Sequence, residues 1–252
     1  MSDRILGFQK KGHAMIIEID TSPAYDEGAR VRLSSEFADL CEKIAWDEDV
    51  RALVLTYADG WLLTTERDVT SPSAQAGAPS LVESVARLKQ PVIAAIRGDA
   101  IDIGLELALA CDIRIGTKGS RLGLPAVSRG SMPSAGGTQR LPRLVGYGKA
   151  MEMLLTGDLI GAAEAEAMGL LNRLVSREEL MNTALALATE MALKSPLSLA
   201  FVKEALHKGM DLTLDQGMRL ELDLYLLLFT ASDRAEGITA FKEKRKPRFE
   251  GT

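Results

Sequence analysis

The stretch Gln90-Pro91-Val92-Ile93-Ala94-Ala95-Ile96-Arg97-Gly98-Asp99-Ala100-Ile101-Asp102-Ile103-Gly104-Leu105-Glu106 decides how the rest of the chain is read. Val92 to Ile96 is a short apolar run entered through a proline, the pattern of a buried strand. The run breaks at Gly98 and passes through a short acidic loop. It re-forms as an Ala/Leu-rich helix from Gly104 to Ala110. That helix points its N-terminus, with unpaired N–H groups and partial positive charge, at whatever lies above the end of the strand. Such an end can stabilise a developing oxyanion. Glu106 falls in the first turn, where a carboxylate either complements the helix dipole or exchanges protons with a ligand. The residues alone leave both open.

Outward from this segment, strands and helices alternate. Met15 to Asp20 reads as a strand, and Val31, Leu33, Phe37, Leu40 and Ile44 recur at helical spacing up to Trp46. Ala52 to Tyr57 is the next strand. The polar loop from Ala58 to Ser80, rich in Ser, Ala, Gly and Pro, is expected to be a mobile segment over a site. A short helix with Leu81, Val85 and Leu88 leads into the central strand. Downstream, Asp112-Ile113-Arg114-Ile115-Gly116 and Arg121-Leu122-Gly123 are short strands. Gly130 to Leu141 is a Gly-rich turn opening a helix. It lacks the spacing of both the P-loop and Gly-x-Gly-x-x-Gly, so close packing of a helix N-terminus is its simplest reading.

From Ser176 onward the chain reads as helical: Arg177 to Lys194, Pro196 to Lys208, Leu212 to Thr230 and Ser232 to Lys244, with Ser176, Asp211 and Ser232 as N-caps. The fold class is therefore α/β, with an appended helical region. Leu220 to Phe229 is apolar nearly all round, so it must be buried, if necessary against another subunit.

Composition narrows the chemistry. The 252 residues suffice for one large domain, and 46% hydrophobic content with only 5% aromatics calls for an aliphatic core. A formal net charge of −5 argues against a general nucleic-acid binder. The exception is local: Lys242, Lys244, Arg245, Lys246 and Arg248 form either a solvated tail or an anion-binding patch. Cys41 and Cys111 sit in apolar patterns and suit core filling in a reducing compartment. With only His13 and His207 and no CxxC, a zinc site or a Ser-His-Asp triad is hard to assemble. No apolar run approaches the roughly 18 residues of a membrane span, and the first residues lack a secretory apolar region. The expectation is a soluble, cytoplasmic protein with no nucleic-acid or membrane partner.

In order along the chain, Pro91-Val92-Ile93-Ala94-Ala95-Ile96-Arg97-Gly98, Glu106-Leu107-Ala108-Leu109-Ala110-Cys111-Asp112 and Ala135-Gly136-Gly137-Thr138-Gln139-Arg140-Leu141-Pro142 resemble the enoyl-CoA hydratase/isomerase (crotonase) superfamily. Leu155-Thr156-Gly157, Ala165 to Leu170 and Ala240 to Pro247 fit the same resemblance, which runs nearly end to end. It implies a spiral of ββα units over residues 1–190, carrying an acyl-CoA site. Residues 191–252 would then form a helical trimerisation region, with trimers commonly paired into hexamers. It also implies a shared mechanism, in which two backbone N–H groups bind a thioester oxygen in an enolate-like state. On this chain the donors would be Thr65 and Ile103. Two glutamates serve the hydratases, and Glu106 takes the first position. Coenzyme A, as part of the substrate and with no separate cofactor or metal, would meet backbone at Pro23-Ala24 and Thr65 and a basic residue, Lys244, from a neighbouring subunit.

The departures matter as much. The second glutamate normally follows a proline, and here Pro125 is followed by Ala126. The family's Ala-Gly-Ala-Asp loop has become Leu63-Thr64-Thr65-Glu66, and its triple glycine has become Asp102-Ile103-Gly104. Side chains at glycine positions restrict φ/ψ and crowd the thioester. Asp102, Asp99, Glu66 and Asp68 are candidates for a replacement carboxylate. Asp102 leads because it borders the Ile103 donor, although an anion there opposes the developing charge unless it is protonated or turned away. A plain loop aspartate facing solvent is the alternative. The sequence thus points to a 2-enoyl-CoA hydratase-type lyase acting through Glu106. The alternatives are isomerisation, thioester hydrolysis, or acyl-CoA binding without catalysis.

Overall fold

The computed structural model describes residues 5–20, 27–57 and 81–252, with the backbone alone for 27–31. Ala24, Thr65 and the expected site loop therefore lie outside the described residues, as do Glu66 and Asp68. In chain order the strands are β1 (Leu6–Lys11), β2 (Ala14–Ile19), β3 (Ala52–Tyr57), β4 (Val92–Ile96), β5 (Ala100–Ile101), β6 (Ile113–Thr117), β7 (Arg121–Gly123), β8 (Ile160–Gly161) and β9 (Arg173–Val175). The helices are α1 (Glu27–Trp46), α2 (Leu81–Ala86), α3 (Ile103–Ala110), α4 (Gly137–Val145), α5 (Tyr147–Thr156), α6 (Ala162–Ala167), α7 (Leu180–Ala192), α8 (Pro196–Gly209), α9 (Leu214–Leu227) and α10 (Ser232–Glu243).

A six-stranded sheet has the order β1-β2-β3-β4-β6-β9, with β1 antiparallel to β2 and every other pairing parallel. Beside it stands a small sheet, β5-β7-β8. Strand β4 is buried throughout, as its unbroken apolar run requires. Alternation along it divides the core. Val92, Ala94 and Ile96 join α1, α2 and α3 on one face, while Ile93 and Ala95 meet α7 on the other. α7 approaches that face through Leu180, Ala184, Ala188 and Ala192, one residue per turn, and the three alanines let the helix lie close.

The strands around the central segment follow the sequence reading, and four local expectations are corrected. β1 was not foreseen, because only its first residue is buried and it runs out through Gln9, Lys10 and Lys11. Asp211 does not cap α9. The cap is Thr213, in a reciprocal box with Gln216, while Asp211 pairs with Arg143. Ser232 is the first residue of α10 rather than its cap, with its hydroxyl bonded to Thr252. Ser176 does not cap α7 either: the cap position is Glu179, which has no side-chain cap, and Ser176 Oγ accepts from Glu179 N–H in the turn before the helix.

α8 is fastened to the core by one polar joint. Lys203 Nζ donates to Asp112 Oδ2 at 2.7 Å and to Gln90 O at 2.9 Å, and His207 lies 3.3 Å from the same carboxylate. The α8–α9 pair leaves much apolar surface open. Within one chain Leu224 is buried, but Leu222, Tyr225, Leu226 and Leu227 are each more than half exposed. Both cysteines are buried, and burial pushes each thiol up to about 12, as suits packing residues. Among the described residues no single helix is long and apolar enough to cross a membrane.

Candidate active site

The site forms where β4 ends and α3 begins. Asp102 is the residue at which the chain turns, with φ 51° and ψ −121°, a conformation natural to glycine and strained for any other residue. Its own N–H donates to Gly123 O at 3.0 Å, and its carbonyl accepts the first helical hydrogen bond from Glu106 N at 2.9 Å. The turn is thus pinned to β7 on one side and to α3 on the other.

An aspartate at this position ordinarily folds its carboxylate onto the helix N–H groups. Asp102 makes no such cap. Its carboxylate, 5% exposed, is turned away into an ion pair with the guanidinium of Arg129. The reading of Asp102 as a solvent-facing loop residue is therefore corrected. Asp99, the other described candidate, is committed to Arg121, which holds both of its oxygens. With no side-chain cap, the N–H of Ile103 has no acceptor among the described residues.

Glu106 lies one helical turn further on and is only 3% exposed. Its Oε1 accepts from Ala135 N at 2.7 Å and from Gly137 N at 2.8 Å, both at the N-terminus of α4. Burial is the main influence on this carboxyl and raises its pKa. Hydrogen bonds from the Gly137, Ala135 and Ser134 backbone work against that, and the nearby Asp102 charge adds to it. The net effect is a carboxyl that holds its proton more readily than an ordinary glutamate.

The Gly-rich turn is what makes the cradle. A Cβ on Gly137 would stand 3.0 Å from Glu106 Oε1 and 2.8 Å from Leu124 Cδ1. Gly136 precedes it with φ 98°. Close packing of a helix N-terminus, the sequence expectation, holds, and the object packed there is Glu106. The doublet Gly136-Gly137 signals a tight helix start, but which carboxylate reaches it is decided by tertiary structure.

Arg129 was missed altogether. It closes a 3₁₀ turn, Pro125–Arg129, that also carries Ala126. Residues three apart in a 3₁₀ helix eclipse one another, so Arg129 shares a face with buried Ala126. Lys244 ends α10 in a left-handed conformation, φ 55°, and is exposed. No hydrogen bond or ion pair joins it to the Glu106–Asp102 cluster. The surrounding basic run is partly neutralised, since Arg245 is gripped by Glu236 and Glu243.

The profile of the enoyl-CoA hydratase/isomerase family matches residues 28–252. The chain is 35% identical over the full length of both sequences to YngF of Bacillus subtilis, named as an enoyl-CoA hydratase/isomerase. It is 42% identical to the 2,3-dehydroadipyl-CoA hydratase of Escherichia coli, over 69% of this chain and 68% of that one. A crystal structure of an enoyl-CoA hydratase from Bacillus anthracis superposes with a TM-score of 0.89 at 33% identity, covering 99% of this chain and all of the other. The chain belongs to the enoyl-CoA hydratase/isomerase family, with the mixed α/β fold and helical C-terminal region of its solved members.

Proposed function

We propose that this enzyme hydrates a 2-enoyl-CoA, with Glu106 as the single acid/base and the Ile103 N–H as one donor to the thioester oxygen. The observation that carries this reading is the contrast within a few residues of α3. The Glu106 carboxylate is fixed through Oε1 by two backbone N–H groups, while the Ile103 N–H is left without an acceptor among the described residues. With Oε1 engaged, Oε2 is the oxygen that holds and deprotonates a water. The water oxygen bonds to C3 of the enoyl group, the C2=C3 electron pair moves onto the thioester as an enolate, and Glu106 returns the proton to C2. The uncapped end of α3 stabilises the charge that develops on the thioester oxygen. Thr65 would supply the second donor and Ala24 backbone the contact to CoA, as the family resemblance implies. Asp102, paired with Arg129, does not move the proton in this scheme. Ala126 cannot move one either.

The exposed apolar residues of α8 and α9 support assembly into a trimer, or two trimers as a hexamer. In that assembly Lys244 of a neighbouring copy would meet the CoA phosphates as a point charge.

The test is the decay of the enoyl-thioester absorbance of crotonyl-CoA, run beside Glu106→Gln. Glutamine keeps an oxygen acceptor for Ala135 and Gly137 but cannot exchange a proton, so kcat should fall by about 10²–10⁴-fold. Turnover that survives in the variant would remove Glu106 from the chemistry. No turnover in the unaltered enzyme, with CoA thioester binding still detectable by calorimetry, would favour the binding-only reading.

A further inference from the structure

We propose that Arg129 is a positioning residue that draws the Asp102 carboxylate off the N-terminus of α3, so that the Ile103 N–H stays open to the thioester oxygen.

Three observations meet here. Asp102 occupies the N-cap position, where aspartate is among the strongest caps, yet it accepts nothing from the helix. It does so in a backbone conformation, φ 51° and ψ −121°, that glycine adopts freely and aspartate only under strain. A residue selected for the turn alone would be glycine. The one compensating contact of its side chain among the described residues is the ion pair with Arg129. The carboxylate is 5% exposed, so without Arg129 it would be a buried, uncompensated anion next to a group that must receive negative charge. As the N-cap residue of α3, it would then be left with the N–H groups of its own helix, which have no side-chain cap. Capping them would satisfy the aspartate and place a full negative charge where an enolate has to form. Arg129 prevents this from the 3₁₀ turn Pro125–Arg129, where its side chain is 35% exposed.

The inference rests on the oxyanion reading of Ile103, and the experiment keeps the two apart. Crotonyl-CoA hydration and the near-ultraviolet enolate absorbance of bound acetoacetyl-CoA are measured in the unaltered enzyme, Arg129→Met, Arg129→Lys and the double variant Arg129→Met/Asp102→Gly. The enolate band reports on the oxyanion donors whether or not water is added. Arg129→Met should lose kcat by about 10²-fold, the size of losing one oxyanion donor, with KM changed much less. It should lose the enolate band in parallel. Arg129→Lys should retain most of both. Removing the carboxylate as well should restore both, because glycine takes the turn without strain and leaves no anion to cap the helix.

A double variant as impaired as Arg129→Met would overturn the proposal, since a merely structural arginine is not rescued by deleting its partner. So would an unchanged kcat and enolate band in Arg129→Met. If that variant fails to fold, the lysine variant and the double variant still decide: activity kept in both supports the proposal, and activity lost in the double variant sinks it. Failure of the hydratase reading looks different, with no hydration in any variant while the enolate band still follows the pattern above. An unaltered enzyme with no enolate band would overturn the oxyanion site and the positioning role together.

Discussion

Two helix N-termini stand side by side in this molecule and are used in opposite ways. The start of α4 is filled: Gly137 N, with Ala135 N just before it, closes on the Glu106 carboxylate. The start of α3 is kept open, although an aspartate sits at its cap position, because that aspartate is bound to Arg129 instead. Both ends carry the partial positive charge of unpaired N–H groups. In the proposed mechanism the first holds the Glu106 carboxyl still, and the second is reserved for a transient anion. Orphan donors are thus a resource that the surrounding residues assign either to positioning or to chemistry.

The largest effect should come from breaking the filled end. In Gly137→Ala the new methyl would press on Glu106 Oε1 and Leu124 Cδ1 at 3.0 and 2.8 Å. Overpacking of this kind costs about 1–3 kcal/mol, with Tm falling by roughly 2–4 °C for each 1 kcal/mol in a chain of this size. Because the displaced group is the acid/base of the proposed mechanism, kcat should fall out of proportion to stability, at temperatures where the variant is fully folded. Thermal unfolding followed by steady-state kinetics checks both. Normal kcat in a destabilised variant would mean that the placement of Glu106 by α4 is not needed for turnover.

How much of this contrast was legible beforehand follows from range in sequence. β4 was legible because five consecutive apolar residues bounded by Pro91 and Arg97 leave little choice. Glu106 was legible because its place in the first turn of α3 is a local property. The Gly136-Gly137 start was legible as a tight turn, but its occupant lies some thirty residues away and no local pattern names it. Arg129 was invisible for the same reason: its meaning exists only once the 3₁₀ turn is folded against Asp102. The strain at Asp102 was half legible, since side chains replacing glycines were noted, yet the positive φ falls on Asp102 while Ile103 is ordinary helix. The N-cap error at Asp211 arose because two polar residues stood near the helix start, and only the partner Gln216 distinguishes Thr213.

A second, smaller effect is a pH dependence written into the filled end. Burial raises the Glu106 pKa above its ordinary value of 4.5, so the folded state holds this proton more tightly than the unfolded chain. Between the two values the folded state binds more protons, and the sign of the linkage makes stability fall as pH rises through that window. Below the window both states are protonated and the penalty is absent; above it the penalty is complete. Glu106→Gln should remove this component. The Tm difference between variant and unaltered enzyme should shift in the variant's favour as pH rises from 4.5, then level off. A difference independent of pH would mean that the two backbone N–H bonds offset the burial of the charge in full.

The smallest effect sharpens the comparison with a third helix start. At α9 the cap position does what caps ordinarily do: Thr213 accepts from Gln216 N–H, and the Gln216 side chain accepts from Thr213 N–H. Thr213→Ala removes one half of that box and should cost about 1 kcal/mol, with kcat and KM for crotonyl-CoA unchanged. Calorimetric unfolding together with steady-state kinetics would show it. The reason to make so modest a variant is the contrast it sets. A cap whose purpose is stability should register in Tm alone. The missing cap at α3 should behave in the reverse sense, because the proposed mechanism spends the donors it leaves unsatisfied on the reaction. If Thr213→Ala also slowed turnover, the helical C-terminal region would have to be coupled to the site at α3, and the division between a stabilising and a working helix terminus would not hold.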